Sequence, residues 1–552
     1  MNSVFLGIAC LLILGLGYKL YGTFLSSLLG IDPRRRTPAH EKKDEVDFVP
    51  AKHWLVLFGH HFSSICGAGP IVGPVLAVAY WGWGVSLAWI LLGSILMGAV
   101  SDFSSLVVSI RFNGESIPEI ARSVMTKRSR LLLSVFIWLS LILVIAVFAI
   151  LAAKTFTAQP EIVVPSLGII PLAVLMGWML YFKKWGLIPT TIFGLVVLGL
   201  LLLFGDQWSV RFVTSAGLNI KIWIVILILY CFVASVTPVQ YLLQPRDYLA
   251  GFVLFAAIGF GLLGLFLSHK PMNGPAFSGW NPNPEIWPSA GPLWPMLFVT
   301  IACGAISGFH SLVSSGTTCK QLDTEAHACR IGYGGMLTEG LVACLVVFCV
   351  AAGLTRGELL EFLTNKSKGG PIAAFGNGFG SLTSPLLGSY GTAFAIVALN
   401  AFILTTLDTA TRIGRYLTSE LFGIENRFLS TFLVVFLSAL LALTGQWQRI
   451  WPVFGASNQL VAALSLLVVS CWLISIKRPS KTTLIPALIM LTTTIGAFLF
   501  QIVSALGHVN AKGESSPQIT IILSAAVLVV LALAVFYEAV KTYQRFRLKV
   551  SL

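Results

Sequence analysis

The stretch His60-His61-Phe62-Ser63-Ser64-Ile65-Cys66-Gly67-Ala68-Gly69-Pro70-Ile71-Val72-Gly73-Pro74 lies inside an otherwise apolar segment that runs from about Trp54 to Tyr80. A helix that crosses lipid must satisfy its own backbone, so glycine and proline at mid-depth are tolerated only where the chain faces protein or a water-filled cavity. Three glycines and two prolines fall within the eight residues from Gly67 to Pro74. The stretch therefore predicts a broken helix that lines a site, not a plain span.

The chain around it has the composition of a polytopic membrane protein. Of 552 residues, 56% are hydrophobic and 11% charged, with a mean hydropathy of +0.87. That excludes the three or four soluble domains that length alone suggests. The formal charge of +14 is spread through short loops and is not clustered with aromatic residues, which argues for orientation in a bilayer and against a nucleic-acid partner. About 15 transmembrane helices are expected, each from roughly 20 apolar residues that at 1.5 Å per residue cross about 30 Å of hydrocarbon. They run from 3–29 and 54–80 through 294–318 and 391–412 to 482–504 and 517–540.

Most of the 36 Lys and Arg residues fall on one side of this plan, among them Arg34, Arg35, Arg36, Lys42, Lys43, Lys127, Arg128, Lys477 and Arg478. The bias puts the N-terminus outside and the C-terminus in the cytoplasm. Two outer connections, 269–293 and 355–390, are long enough to be read as structured lids. The nine cysteines lie in apolar segments or in one inner loop, so no disulfide framework is implied. Cys319, His327 and Cys329 match no zinc spacing, and no metal site or cofactor is expected.

A second segment, Ile301-Ala302-Cys303-Gly304-Ala305-Ile306-Ser307-Gly308-Phe309-His310, repeats the opening feature inside the span 294–318. In the orientation above the first broken segment runs inside to outside and this one outside to inside, as two inverted halves require. The division that follows is 1–53, an N-terminal span and basic loop; 54–293, a first half with two extra helices; 294–475, a second half; and 476–552, two accessory helices. Exposed amides at the breaks attract anions and freed carbonyls coordinate cations. The candidate substrate-binding residues are therefore Gly67, Ala68, Gly69 and Pro70 in the first break and Gly304, Ser307 and Gly308 in the second. Gly93 and Gly98 are read as packing glycines.

Ionisable groups in a membrane are functional candidates by default. His60, His61, Asp102, His310, Glu339 and Asp408 all fall ~10 Å from the inner boundary by helix rise, which predicts a layer of His and carboxylate groups beneath the breaks. A His beside a carboxylate is a ready proton carrier, so these six are the proton-coupling candidates. A structural alternative stays open for Asp408, which stands four residues before Arg412 and can pair with it. Thr405, Thr406 and Thr409 can offer hydroxyl oxygens to the first break as a sodium-type site, or can simply bond backbone carbonyls.

These residues carry a family resemblance. The string from Gly59 to Ala77, Thr300 to His310, Ser314-Ser315-Gly316-Thr317-Thr318, Leu404 to Arg412, and Trp451-Pro452-Val453-Phe454-Gly455-Ala456-Ser457-Asn458-Gln459-Leu460 resemble motifs of the carbon starvation protein A (CstA) family. So do Asp32 to Ala39 and Pro245-Arg246-Asp247-Tyr248. Tyr80 and Ser101 depart from it, standing where family members carry Gln. The resemblance implies uptake across the bacterial inner membrane, of peptides in some members and of pyruvate with protons in others. It also implies the amino acid-polyamine-organocation superfamily and a leucine-transporter-like fold, with the spans at 54 and 294 as the two broken helices.

The expected activity is secondary transport, coupled to H+ with Na+ as the alternative, of pyruvate or a small peptide during nutrient starvation. A related sodium-coupled carboxylate or amino-acid symporter and a nutrient sensor that binds without transport are the competing classes. An enzyme is not expected, since the chain has no His-Glu-x-x-His and no Gly-x-Ser-x-Gly.

Overall fold

The computed structural model describes the chain except residues 1, 288–289, 366–367, 444–446, 508–517 and 551–552; the side chains of residues 206, 447–452, 520 and 547–550, and with them Trp451 and Pro452, also lie outside the described residues. All the labelled elements are helices. The first part of the chain forms α1 (Ser3–Leu29), α2 (Trp54–Ile65), α3 (Gly69–Trp81), α4 (Trp83–Arg111), α5 (Lys127–Ala158), α6 (Pro160–Tyr181), α7 (Leu187–Phe204), α8 (Ala216–Val236) and α9 (Leu243–Ser268). The second part forms α10 (Leu293–Thr300), α11 (Ala302–Ala305), α12 (Gly308–Gly316), α13 (Glu325–Ala351), α14 (Arg356–Thr364), α15 (Gly370–Leu387), α16 (Tyr390–Phe422), α17 (Arg427–Leu443), α18 (Val453–Ser475), α19 (Lys481–Leu506) and α20 (Ile521–Phe546).

Among the described residues, 12 helices are long and apolar enough to cross a bilayer, and 13 spans result when α2 and α3, bent by 45°, are taken as one. The protein is thus a multi-pass membrane protein. Two expected spans do not meet the same length test: α17 has 17 residues, and 293–316 is interrupted at Ile301 and again at Ile306–Ser307. Burial sorts core from rim. Within the apolar windows, 94% of α18, 89% of α16 and 83% of α13 is buried, against 17% of α7 and 28% of α1 and α20. α16 and α13, which carry Asp408, the three threonines and Glu339, are thus among the most shielded helices, as polar groups in a membrane require.

Small residues set the crossings. Gly93 and Gly98 of α4 both face Ala305, where an added Cβ would meet its side chain or carbonyl. Gly59 of α2 lies against Tyr248 and Gly251 of α9, so these two helices meet nearly backbone to backbone.

The connection 355–390 is not a loop. Thr355 and Glu358 form a capping box that starts α14, and the Gly376-Asn377-Gly378-Phe379-Gly380 run lies inside α15. Its glycines are seats: Gly376 faces Ile396, Gly378 the Cys349 carbonyl and Gly380 Thr392, so α15 packs directly on α13 and α16.

Candidate functional site

The first break begins where Cys66 leaves helical geometry (φ −80°, ψ 73°) and ends where α3 restarts at Gly69 with Pro70 in its first turn. A helix end leaves its last carbonyls without helical partners. Here α16 supplies them. Thr405 Oγ1 donates to the Ser63 carbonyl at 2.5 Å and Thr406 Oγ1 to the Ser64 carbonyl at 3.0 Å, while Thr409 Oγ1 lies 2.9 Å from Ser64 Oγ. The three threonines thus face the first break, and two of the three hydroxyls are engaged with its carbonyls.

The second break is the extended pair Ile306 (φ −161°, ψ 128°) and Ser307 (φ −134°, ψ 131°). Its new helix, α12, is capped from outside: Asn458 of α18 accepts from the Phe309 N–H at 2.9 Å through Oδ1, and donates from Nδ2 to Ser307 Oγ at 2.9 Å. Gly308 gives α18 room, since a Cβ there would collide with the Asn458 carbonyl and Val461. The start of α3 has no such side-chain cap. The two breaks touch. A Cβ on Gly69 would collide with Cys303, one on Gly304 would approach Pro70 and Ala343, and one on Gly67 would meet Phe148 and Thr406.

The six ionisable candidates are all fully buried, but they do not form one layer. They divide into two networks and a remainder. In the first, the close approach of α2 and α9 puts His60 Nδ1 2.5 Å from Asp247 Oδ2, and Gln321 Nε2 lies 3.1 Å from His60 Nε2. Arg246 Nη2 is 2.5 Å from Asp247 Oδ1, its Nη1 pairs with Asp408, and Tyr230 donates to Asp408 Oδ2 at 2.5 Å. Asp408 therefore pairs with Arg246 of α9 and not with Arg412. The spacing of four on one helix was outweighed by a partner 162 positions away.

In the second network, His310 of α12 lies between two carboxylates. Its Nδ1 is 2.9 Å from Asp102 Oδ2 on α4, and its Nε2 is 2.9 Å from Glu339 Oε2 on α13. The Glu339 contact lies off hydrogen-bonding geometry, so neither Glu339 oxygen has a hydrogen-bond partner, and Asp102 Oδ1, on the far side of its carboxylate from His310, has none either. Cys303 Sγ is 3.7 Å from His310 Nε2. Cys303, His310 and Glu339 offer one donor each within 4.8 Å, a set close enough for a cation and equally suited to holding a proton. His61 joins neither network: its Nδ1 lies 2.9 Å from Thr318 Oγ1, and its Nε2 has no partner. Cys319 and Cys329 turn to the separate carbonyls of Ser315 and Gly22.

A third charged contact closes the basic end. Arg412 Nη1 is 2.7 Å from Asp47 Oδ1 and Arg415 Nη2 is 3.0 Å from Oδ2, tying the segment before α2 to α16. Burial alone would raise the Asp47 carboxyl, but Arg412, Arg415 and Lys320 together hold it down at about 2.

Sequence reasoning assigned no role to Arg246, Asp247, Tyr230, Asn458 or Asp47. For the first two a signal exists: adjacent charges at the head of an apolar run, which α9 includes by starting at Leu243.

Comparison with known proteins places the chain. A family model described as Carbon starvation protein CstA matches residues 2–365 and 358–497. The Peptide transporter CstA of Campylobacter jejuni is 31% identical over 94% of this chain and 84% of its own length; that of Escherichia coli K12 is 32% identical over 90% and 80%. The Pyruvate/proton symporter BtsT of Escherichia coli K12 is 30% identical over 90% and 82%. Among solved structures, a manganese transporter of Eremococcus coleocola in complex with an aromatic bis-isothiourea substituted compound superposes with a TM-score of 0.51 at 13% identity. That likeness covers 92% of this chain and 99% of the other, and it is one of fold alone.

Proposed function

The chain belongs to the carbon starvation protein CstA family, and on that premise we propose that this membrane transporter is a proton-coupled importer of pyruvate or small peptides in the bacterial inner membrane. The relatives are named for peptides and for pyruvate with protons, and both cargoes carry a carboxylate. The single observation that carries proton coupling is His310 held between Asp102 and Glu339. An arginine keeps its proton at any physiological pH, whereas an imidazole between two carboxylates can gain and lose one. No arginine or lysine pairs with either carboxylate among the described residues.

In this reading the basic loops are cytoplasmic, the N-terminus is outside, and fifteen spans hold two inverted halves of leucine-transporter type that begin at the two broken helices. One bundle rocks against the other about the breaks. The substrate carboxylate meets the first turn of α3, because that helix start has no side-chain cap while the start of α12 is already satisfied by Asn458. Gly67, Ala68, Gly69 and Pro70 then form one wall, and Gly304, Ser307 and Gly308 the other. Since Gly69 and Cys303 are in contact here, substrate enters only as the two breaks move apart.

The second reading is sodium coupling at Thr405, Thr406 and Thr409. It is favoured by the gathering of three hydroxyls and the Ser63 and Ser64 carbonyls at the first break. Reconstitution into proteoliposomes separates the two. Labelled pyruvate or dipeptide is expected to accumulate under an inward proton gradient without sodium. Uptake that follows a sodium gradient and ignores pH would promote the threonine site, and uptake of neither substrate under either gradient would remove the proposal.

A further inference from the structure

A cavity of about 420 Å³ opens at the end of α5 remote from the basic loops. Val72 of α3, Leu151 and Lys154 of α5, Phe362 of α14 and Ile396 of α16 contribute to its wall, with Gln159 just past α5. Its position relative to the breaks follows from helix spacing. Val72 is three residues beyond Gly69. Phe148, one turn before Leu151 on the same helix, is the ring that fills the space in front of Gly67. Phe148 is buried, with its ring centroid 5.8 Å from that of Phe454, so a packed aromatic ring lies between the cavity and the first break.

The chemistry of the wall is selective. It is mostly apolar, it includes no acidic side chain among the described residues, and its cation is Lys154. The wall also contains the start of α15, an 18-residue helix whose preceding Gly369 and first residue Gly370 have φ of +85° and +69° and which has no side-chain cap. Glycine is needed there by backbone conformation, not by crowding, since nothing lies within 4 Å of a Cβ built on Gly370. The first-turn amides of α15 therefore add to the positive field of Lys154. The volume falls within the usual range for small-molecule sites, ~300–1,000 Å³, and it exceeds what a three-carbon acid fills.

We propose that this cavity is an outer reception site for a carboxylate with an apolar body, in which Lys154 pairs with the carboxylate and Val72, Leu151, Phe362 and Ile396 take the body. The proposal rests on the reading of the protein as a carboxylate transporter. It adds a recognition step before the breaks, with Phe148 as the barrier between the two. The carboxylate comes either from the C-terminus of a short peptide or from a 2-oxo acid.

The test uses the full chain, purified for thermal stabilisation and reconstituted for uptake, with three probes: pyruvate, dialanine and dialanine amide. For whichever of the first two the protein carries, Lys154→Gln raises KM about tenfold or more, as loss of a charged hydrogen bond implies, while kcat stays within about twofold; Lys154→Arg restores most of the affinity. A preference for dialanine assigns the peptide source and one for pyruvate the 2-oxo acid. Dialanine amide neither stabilises the protein nor competes. Unchanged KM in Lys154→Gln, or competition by the amide equal to that by dialanine, overturns the proposal. If neither substrate is taken up, the transport reading fails; stabilisation by pyruvate or dialanine that disappears in Lys154→Gln and returns in Lys154→Arg still supports the cavity, and absence of any such stabilisation overturns it too.

Discussion

Two histidines occupy comparable places in the molecule, each on a half-helix that meets a break, and they are held in different ways. His60 sits six residues before Cys66 on α2, beside an aspartate that is itself neutralised by Arg246. His310 sits three residues after Ser307 on α12, with its two ring nitrogens facing Asp102 and Glu339. Each network buries two carboxylates and one histidine. The difference is one guanidinium. On the reading proposed above, a charge that cannot leave makes the Arg246 network a brace between α9 and α16, and a charge that can leave would make the His310 network a switch among α4, α12 and α13.

The comparison breaks most visibly at Arg246. Arg246→Ala leaves Asp247 and Asp408 buried without their cation, and removing one partner of a buried ion pair costs roughly 3–5 kcal/mol. The expected outcome is a large fall in thermal stability, or loss of folded protein, that is similar at about pH 6 and about pH 8. A stable and active Arg246→Ala protein would remove the brace.

His310→Gln tests the other side. It keeps a polar side chain of similar size, so the protein is expected to fold and to exchange labelled for unlabelled substrate. Accumulation under a proton gradient is expected to fall to equilibration. If that variant still concentrates substrate against a gradient, the coupling proton lies elsewhere.

Asn458→Ala sharpens the contrast between the breaks themselves. Among the described residues, the helix start after the second break is capped by a side chain from another helix and the start after the first is not, and loss of an N-cap costs about 0.5–2 kcal/mol. The variant is expected to lower the melting temperature modestly and to leave the pH dependence of uptake unchanged.

The Asp47 contact supplies a third, arginine-held network, whose pH dependence is confined to acid. Its carboxyl is held at about 2 in the folded protein against an ordinary 3.8. A depressed folded-state value contributes stability that is fully present above the unfolded value and is lost as pH falls through the folded one. The difference in melting temperature between the wild type and Asp47→Asn is therefore expected to be flat from about pH 8 to about pH 5 and to shrink only below about pH 4. A difference that changes near neutrality would make this contact, and not His310, the pH-sensitive element.

What the sequence revealed and what it hid divide along the range of the interaction. The break at Gly67–Pro70 was legible because glycine and proline act on the backbone where they stand, and the structure bends the chain there by 45°. Helix rise predicted one layer of six ionisable groups; the structure brings Asp102, His310 and Glu339 together but puts His60 and Asp408 in a separate network and leaves His61 in neither. Partners were not. Asp408 has Arg412 one turn away and still bonds Arg246, because tertiary packing of α9 on α16 sets the geometry of a buried charge. The connection 355–390 was read as a long outer lid, yet its glycines at 376, 378 and 380 are packing sites inside a helix, because only the neighbours across a helix crossing distinguish the two. Asn458 had no local signal at all, since the amide it caps belongs to a helix 149 residues away.

The central claim is that His310, and not His60, holds the transported proton. The most direct measurement is proton movement itself, followed with a pH dye inside proteoliposomes during substrate uptake, for the wild type, Asp102→Asn, His310→Gln and Asp247→Asn. Substrate-linked acidification of the lumen is expected in the wild type and in any folded Asp247→Asn protein, and is expected to vanish in Asp102→Asn and His310→Gln while substrate exchange persists. Acidification that survives in His310→Gln and disappears in a folded, exchanging Asp247→Asn protein would reverse the assignment.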